Sequence, residues 1–310
     1  MQFDRTHVVV RPRSASELFD LSLLVLRRYF VPLSIAFATG AVPFAIINFL
    51  LIGWLPLDIG ADDDAETIGL RWQYIIWMSA LIFLETPLAG IFATSYVGQA
   101  VFQQKPSWRQ VRDDVKNVAV RVIIALGFLR GPLVAIGLIL WIDWIESSDA
   151  WITFFLIILA MYAAAVRSAR PNLPEILLLE RCPILAGRER SLTAGHRSQL
   201  LHAPVGGESI SRFVISGMIC FGLTLSLFFF MIFVQGVFAQ RWSFNVIAQS
   251  VYVPLAMWIV AGYCVIFRFL CYLDNRIRLE GWDVELAMRA EAIRQFGEPN
   301  SRTIAEGSPS

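Results

Sequence analysis

Two ionisable side chains, Glu85 and Arg130, lie inside long apolar stretches of this sequence. A charge at the middle of a bilayer is costly, so such residues mark ion or substrate paths or pair inside a helix bundle. Glu85 lies 13 residues after Trp72, and Arg130 lies 14 residues before Trp144. At about 1.5 Å per helical residue, both lie roughly 20 Å below the same aromatic belt. We therefore predict an intramembrane ion pair between Glu85 and Arg130, which serves either a polar cavity or helix registry.

The remaining polar residues form no pattern that is typical of a catalytic or metal site. The histidines and cysteines show no ligand spacing and no CxxC pair. They are His7, His196, His202, Cys182, Cys220, Cys264 and Cys271. HExxH, Walker A, GxSxG and GxGxxG motifs are absent from the sequence. The acidic run 62–64 is open to two interpretations, a cation site or a solvated loop. We predict no catalytic residue, no cofactor and no metal site, and therefore a protein that is not an enzyme.

The elements that carry Glu85 and Arg130 are apolar segments long enough to cross a membrane. The 310 residues are 56% hydrophobic and 16% charged, which excludes an ordinary soluble domain. A span needs about 20 apolar residues to cross roughly 30 Å of hydrocarbon. The predicted spans are 31–55, 73–98, 118–144, 151–168, 213–238 and 246–270. The fourth is short, and we expect Arg167 to extend it by reaching the interface. The predicted fold class is all-α, a polytopic bundle of six transmembrane helices.

Lys and Arg are distributed unevenly between the two sides of such a bundle. Of the 26 basic residues, 23 lie on one side and only Arg71 and Arg241 on the other. The basic segments are 1–28, 99–121, 167–212 and 268–310. By the positive-inside rule, this side is the cytoplasm, which holds both termini of a multi-pass inner-membrane protein. The net charge of +1 favours no nucleic-acid partner.

Amphipathic segments are predicted on the cytoplasmic side. The first begins at an N-cap-like Ser14, and its stripe of Leu18, Leu21, Leu24 and Val25 is expected to face the bilayer. The predicted interfacial helices are 14–29, 107–117, 183–199 and 272–295. Each of the first three precedes a pair of spans, which indicates either a threefold repeat or ordinary juxtamembrane helices. We expect one membrane domain over 1–297, followed by a disordered tail over 298–310.

Four segments carry a resemblance to a known family. They are SASELFDLSLLVLRRYF at 14–30, KPSWRQV at 105–111, LLERCPILAGRERSL at 178–192 and YLDNRIRLEGWDVEL at 272–286. Together they resemble the bacterial six-helix membrane family that includes the YciC-type proteins and the membrane domain found with glycerophosphodiester phosphodiesterases. The resemblance covers nearly the whole chain and implies a shared fold. It implies no activity, because the family's molecular function is largely uncharacterised and no phosphodiesterase domain is present.

These observations leave two main hypotheses for function, with a membrane enzyme as a third. The first is a non-enzymatic accessory or scaffold protein whose cytoplasmic helices act on a protein partner or on anionic lipid headgroups. The second is a transporter or lipid-handling protein with a polar cavity around Glu85 and Arg130. Broken helix pairs, which are common in transporters, are not evident in the sequence. A cavity at the level of Glu85 and Arg130 would favour the second hypothesis, and a sealed bundle the first.

Overall fold

The described part of the chain is almost entirely helical. A computed structural model describes residues 13–56, 65–102, 106–143, 149–184, 193–203, 206–240, 242 and 245–280. About 90% of these residues are helical and none lies in a β-strand, which confirms the predicted all-α class. His7, the acidic run 62–64 and the predicted tail lie outside the described residues.

Eleven helices follow one another in the described ranges. They are α1 (Ala15–Arg28), α2 (Phe30–Ile52), α3 (Ala65–Ala89), α4 (Ile91–Phe102), α5 (Trp108–Val122), α6 (Pro132–Asp143), α7 (Asp149–Ala169), α8 (Leu173–Glu175), α9 (Ala194–His202), α10 (Gly206–Ala239) and α11 (Val253–Glu280). Three π-helical turns extend them. Ile123–Phe128 continues α5, Ile176–Glu180 continues α8, and Ala248–Tyr252 leads into α11.

Four of these helices are long and apolar enough to cross a membrane on their own. They are α2, α7, α10 and α11, the last counted with the π turn that precedes it. Two further spans follow if a bent pair crosses as one unit: α3 with α4, bent by 42°, and α5 with α6, bent by 60°. The chain is therefore a helical membrane protein with four to six spans by length and composition.

Both bends occur at glycine residues, which corrects the expectation that the sequence contains no broken helix pair. Gly90 separates α3 from α4, and a Cβ atom there would lie 2.5 Å from the Val265 side chain. Gly131 has a φ of +93°, a region that glycine enters readily and other residues avoid. Pro132 then begins α6, and proline suits the first turn of a helix.

The first helix, α1, forms where its capping signals predict it. The Ser14 hydroxyl accepts a hydrogen bond from the Glu17 backbone N–H, and the Glu17 carboxylate accepts one from the Ser14 N–H. This reciprocal capping box satisfies two N–H groups that a helix start leaves free. The residues of the predicted membrane-facing stripe do not all face the same way. Leu18 is buried against α11, whereas Leu24 is exposed. Docking on the protein therefore contributes to the position of α1.

The other predicted cytoplasmic helices differ more from the structure. α5 begins at Trp108, close to the predicted start, but continues through its π turn into predicted span three. Of the described residues in the predicted helix 183–199, only those from Ala194 onward are helical, and 185–192 lie outside the described residues. Residue 272 begins no separate helix, because α11 continues unbroken to Glu280.

The long helix α11 connects the two halves of the core. Its first half places Trp258 and Ala261 in a cluster with Trp77 and Leu81 of α3. Its second half, around Phe269, packs in a different cluster with α1, α2 and α4. Its 28 residues extend about 42 Å at ~1.5 Å per residue, so one helix contributes to packing at both ends of the bundle.

Candidate functional site

Glu85 is fully buried where α2 and α3 pack together, and Asn48 is its partner. The Asn48 side-chain amide donates a hydrogen bond of 2.8 Å to Glu85 Oε2. The other carboxylate oxygen, Oε1, is buried without a hydrogen-bond partner, and so is Asn48 Oδ1. Within the described residues, no Lys or Arg forms an ion pair with Glu85.

Arg130 lies in the break between α5 and α6 and is 1% exposed. Its Nη2 donates a hydrogen bond of 2.6 Å to the backbone carbonyl of Arg170, and its Nε is buried without an acceptor. The predicted ion pair between Glu85 and Arg130 is therefore not formed, since each side chain has a different partner. The depth estimate assumed a straight third span, whereas the chain bends by 60° between α5 and α6. Arg130 instead contacts the C-terminal end of α7.

Arg167 is buried, although the sequence predicts that it reaches the membrane interface. Only 9% of Arg167 is exposed, and its Nη2 donates a hydrogen bond of 3.0 Å to the Leu84 carbonyl on α3. Its guanidinium carbon lies 4.0 Å from the centroid of the Phe83 ring. The carbonyl and the ring supply partial charge but no formal counter-charge. Sequence reasoning missed this residue, because an arginine near the end of an apolar run usually extends towards water.

Arg130 and Arg167 line one end of a groove of about 750 Å³ between α3, α10 and α11. Arg212 and Arg268 line the same end, and we call these four residues the arginine end. The groove is open along one side. It extends along α10 from the arginine end to apolar residues such as Phe229. From Ser209 to Phe229, 20 residues of α10 at about 1.5 Å each make the groove roughly 30 Å long.

The walls of the groove are apolar although hydroxyl side chains line them, and four of these are satisfied within their own helix. Ser79 and Thr86 on α3, and Ser216 and Thr224 on α10, each donate a hydrogen bond to a carbonyl three or four residues earlier in the same helix. Such bonds satisfy the hydroxyl groups within their own helix. A Cβ atom at Gly217 would have no neighbour within 4 Å, so α10 leaves free space beside α3.

Carboxylates neutralise two members of the arginine end. Arg268 Nε donates a hydrogen bond of 2.7 Å to Glu175 Oε1. Arg212 Nη2 donates one of 2.9 Å to Asp274 Oδ2, and these two side chains are both buried. Within the described residues, the other two arginines form no ion pair with a carboxylate.

Two of the segments that carry the family resemblance, 178–192 and 272–286, meet close to the arginine end. Asp274 in the second of them also accepts a hydrogen bond of 2.9 Å from the backbone N–H of Arg13, the residue before Ser14. Glu180 accepts hydrogen bonds of 2.7 Å from the Tyr272 hydroxyl and from Arg197 Nε. These contacts connect the π turn after α8 with α9 and α11.

The described histidines and cysteines form no cluster of metal ligands. Within the described ranges, no group of three or more His, Cys, Asp or Glu side chains is placed to hold a metal ion. Cys220 and Cys264 lie with their sulfur atoms 2.8 Å apart on the groove wall. Burial, and then the Glu180 carboxylate, raises the pKa of the Cys182 thiol. A raised pKa disfavours the thiolate, which is the nucleophilic form.

No family model, no curated protein and no solved structure matches this chain. The likeness to the six-helix bacterial family therefore stays a resemblance carried by four short segments.

Proposed function

We propose that the protein binds an anionic amphiphile, a lipid with an acidic headgroup, in the groove, and that it is a lipid-handling membrane protein. One observation carries this proposal: the buried guanidinium groups of Arg130 and Arg167 line an apolar groove, and no carboxylate of the described residues pairs with either of them. A buried charge without a counter-charge costs free energy. An acidic headgroup at the arginine end supplies that counter-charge.

The dimensions of the groove support a lipid as the ligand. Its length of about 30 Å exceeds the roughly 15 Å that one leaflet contributes to a hydrocarbon core, so an acyl tail fits along it. Its volume of about 750 Å³ lies within the ~300–1,000 Å³ of small-molecule sites. Charged groups line one end and apolar walls the rest, so the groove has separate places for a headgroup and a tail.

The groove corresponds to the polar cavity of the second hypothesis from the sequence, but it lies at a different position. The cavity is lined by Arg130 and Arg167, whereas Glu85 lies outside the groove lining. We propose that the arginine end lies on the cytoplasmic side of a bacterial inner membrane, with both termini in the cytoplasm, because the distribution of basic residues favours that orientation. The ligand then enters from the cytoplasmic leaflet through the open side of the groove. The protein holds the lipid without chemical change, alone or as an accessory to a partner.

Lipid binding to the purified protein tests the proposal. Native mass spectrometry compares phosphatidylglycerol with phosphatidylcholine carrying the same acyl chains. We expect the acidic lipid to bind more tightly. We also expect Arg130→Gln and Arg167→Gln each to weaken its binding roughly tenfold or more, since a hydrogen bond to a charged group contributes ~1.5–3 kcal/mol.

The control is Arg112→Gln, which removes an exposed arginine whose partner, Asp113, is also exposed. This variant should bind the acidic lipid as the native protein does. Neither groove substitution breaks an ion pair, so both variants are expected to fold. Equal binding of the two lipids by the native protein, or an equal loss in the control, would refute the proposal.

A further inference from the structure

We infer that the headgroup bound at the arginine end is a phosphate monoester, which carries two negative charges, and not a diester or a carboxylate with one. This inference rests on the proposed function and names the class of lipid that the groove accepts. Its basis is the balance of charges around the groove.

Two of the four arginines at this end have no carboxylate within ion-pair distance among the described residues. Arg212 and Arg268 pair with Asp274 and Glu175 at 2.9 and 2.7 Å. Arg130 and Arg167 each donate to a backbone carbonyl that carries no formal charge. A ligand with two negative charges would therefore match these two arginines.

The guanidinium groups of Arg130 and Arg167 lie at the same end of one groove. Both residues line that end, together with Arg212 and Arg268. Repulsion between like charges is strong where water is excluded. A ligand with a single charge would leave one guanidinium group uncompensated.

The geometry of the donors also suits a monoester. Among the described residues, the buried Nε atoms of Arg130 and Arg167 have no acceptor. A guanidinium group forms paired hydrogen bonds with phosphate oxygens. A monoester offers three terminal oxygens as acceptors, so it can serve two arginines at once.

The experiment measures thermal stabilisation in detergent by three probes: phosphatidic acid, phosphatidylglycerol with the same chains, and inorganic phosphate. At about pH 8, above the second phosphate pKa of about 6, phosphatidic acid should bind roughly tenfold or more tightly than phosphatidylglycerol. Below that pKa the preference should shrink, because both lipids then carry one charge. Inorganic phosphate should stabilise the protein far less, because it lacks the tail.

Two substitutions separate the charge of Arg167 from its shape. Arg167→Gln should reduce the preference for phosphatidic acid to a small factor. Arg167→Lys keeps the charge and loses the paired donors, so it should weaken binding but retain the preference. Arg112→Gln should change neither quantity.

Each outcome has a distinct meaning. Equal binding of phosphatidic acid and phosphatidylglycerol would overturn the monoester inference and leave the proposed function in place. Binding of neither lipid would overturn both. If inorganic phosphate stabilises the protein to the same extent as phosphatidic acid does, the headgroup alone is the ligand. The inference that the ligand is a lipid would then be wrong. A preference that survives Arg167→Gln unchanged would show that the second charge is recognised elsewhere.

Discussion

The contact between Asn48 and Glu85 predicts the effect of replacing Glu85. The predicted effect is opposite to the one that an intramembrane ion pair would give. Asn48 donates one hydrogen bond of 2.8 Å to Glu85, while Glu85 Oε1 and Asn48 Oδ1 are both buried without a partner. Glutamine at position 85 replaces a carboxylate oxygen with an NH₂ donor, and Asn48 Oδ1 is an unused acceptor on the residue already in contact. We therefore predict that Glu85→Gln is tolerated or stabilising. An ion pair with Arg130 would instead require a loss.

The expected change in the free energy of unfolding follows from the number of hydrogen bonds that each variant gains or loses. Asn48→Leu removes a bond to a carboxyl group worth about 1.5–3 kcal/mol and leaves a buried carboxyl group without a partner. Glu85→Gln adds one neutral bond worth about 0.5–1.5 kcal/mol. The two variants should therefore differ by roughly 2–4.5 kcal/mol, a substantial part of a typical unfolding free energy of about 5–15 kcal/mol.

The assay is denaturant or thermal unfolding in one detergent, with the free energy of unfolding compared between variants. Thr39→Leu is a matched control on the same helix, because Thr39 is exposed and donates only to a carbonyl of its own helix. It should change stability by about 0.5 kcal/mol or less. The double variant Asn48→Leu with Glu85→Gln should be more stable than Asn48→Leu alone, because it no longer contains a buried carboxyl group. If Glu85→Gln is destabilising and Arg130→Gln recovers the lost stability, this reasoning is contradicted. The result would support the ion pair between Glu85 and Arg130.

Two further predictions concern the break before α6 and the orientation of the bundle. Gly131→Ala should cost about 1–2 kcal/mol in thermal unfolding, because the residue has a φ of +93°. Gly137→Ala, where a Cβ would have no neighbour within 4 Å, should be neutral or stabilising by up to about 1 kcal/mol. In a variant without native cysteines, a cysteine at Ser148 should react with an impermeant reagent from outside the cell, and one at exposed Ser107 should not. Labelling of Ser107 alone would invert the proposed topology.

The apolar helices were predictable because a membrane leaves the chain few alternatives. A spanning segment must satisfy its backbone hydrogen bonds internally, so a long apolar run becomes a helix whatever its neighbours are. The first predicted span, 31–55, accordingly matches α2 at Phe30–Ile52. The capping box of α1 was predictable for a related reason, since its partners Ser14 and Glu17 are three residues apart and need no tertiary contact.

The partners of the buried charges were not predictable in this way. Arg268 pairs with Glu175 across 93 residues, and Arg167 reaches a carbonyl 83 residues away. Such contacts depend on which helices are neighbours and where each one bends. The depth of Arg130 depended on an assumed straight helix, and the glycine in the next position was the signal that this assumption would fail.

Besides Arg130, the small residues along α10 are a sequence signal for the groove, and this signal has two interpretations. Ser209, Ser216, Cys220 and Thr224 recur at helical spacing, as small residues do where membrane helices pack closely. In the structure, these residues line a groove beside α3. Small side chains show only that a neighbour can approach, and they do not distinguish a helix from a ligand. We propose that the charges at the end of the groove make that distinction, because an acidic headgroup would compensate Arg130 and Arg167 whereas an apolar helix would not.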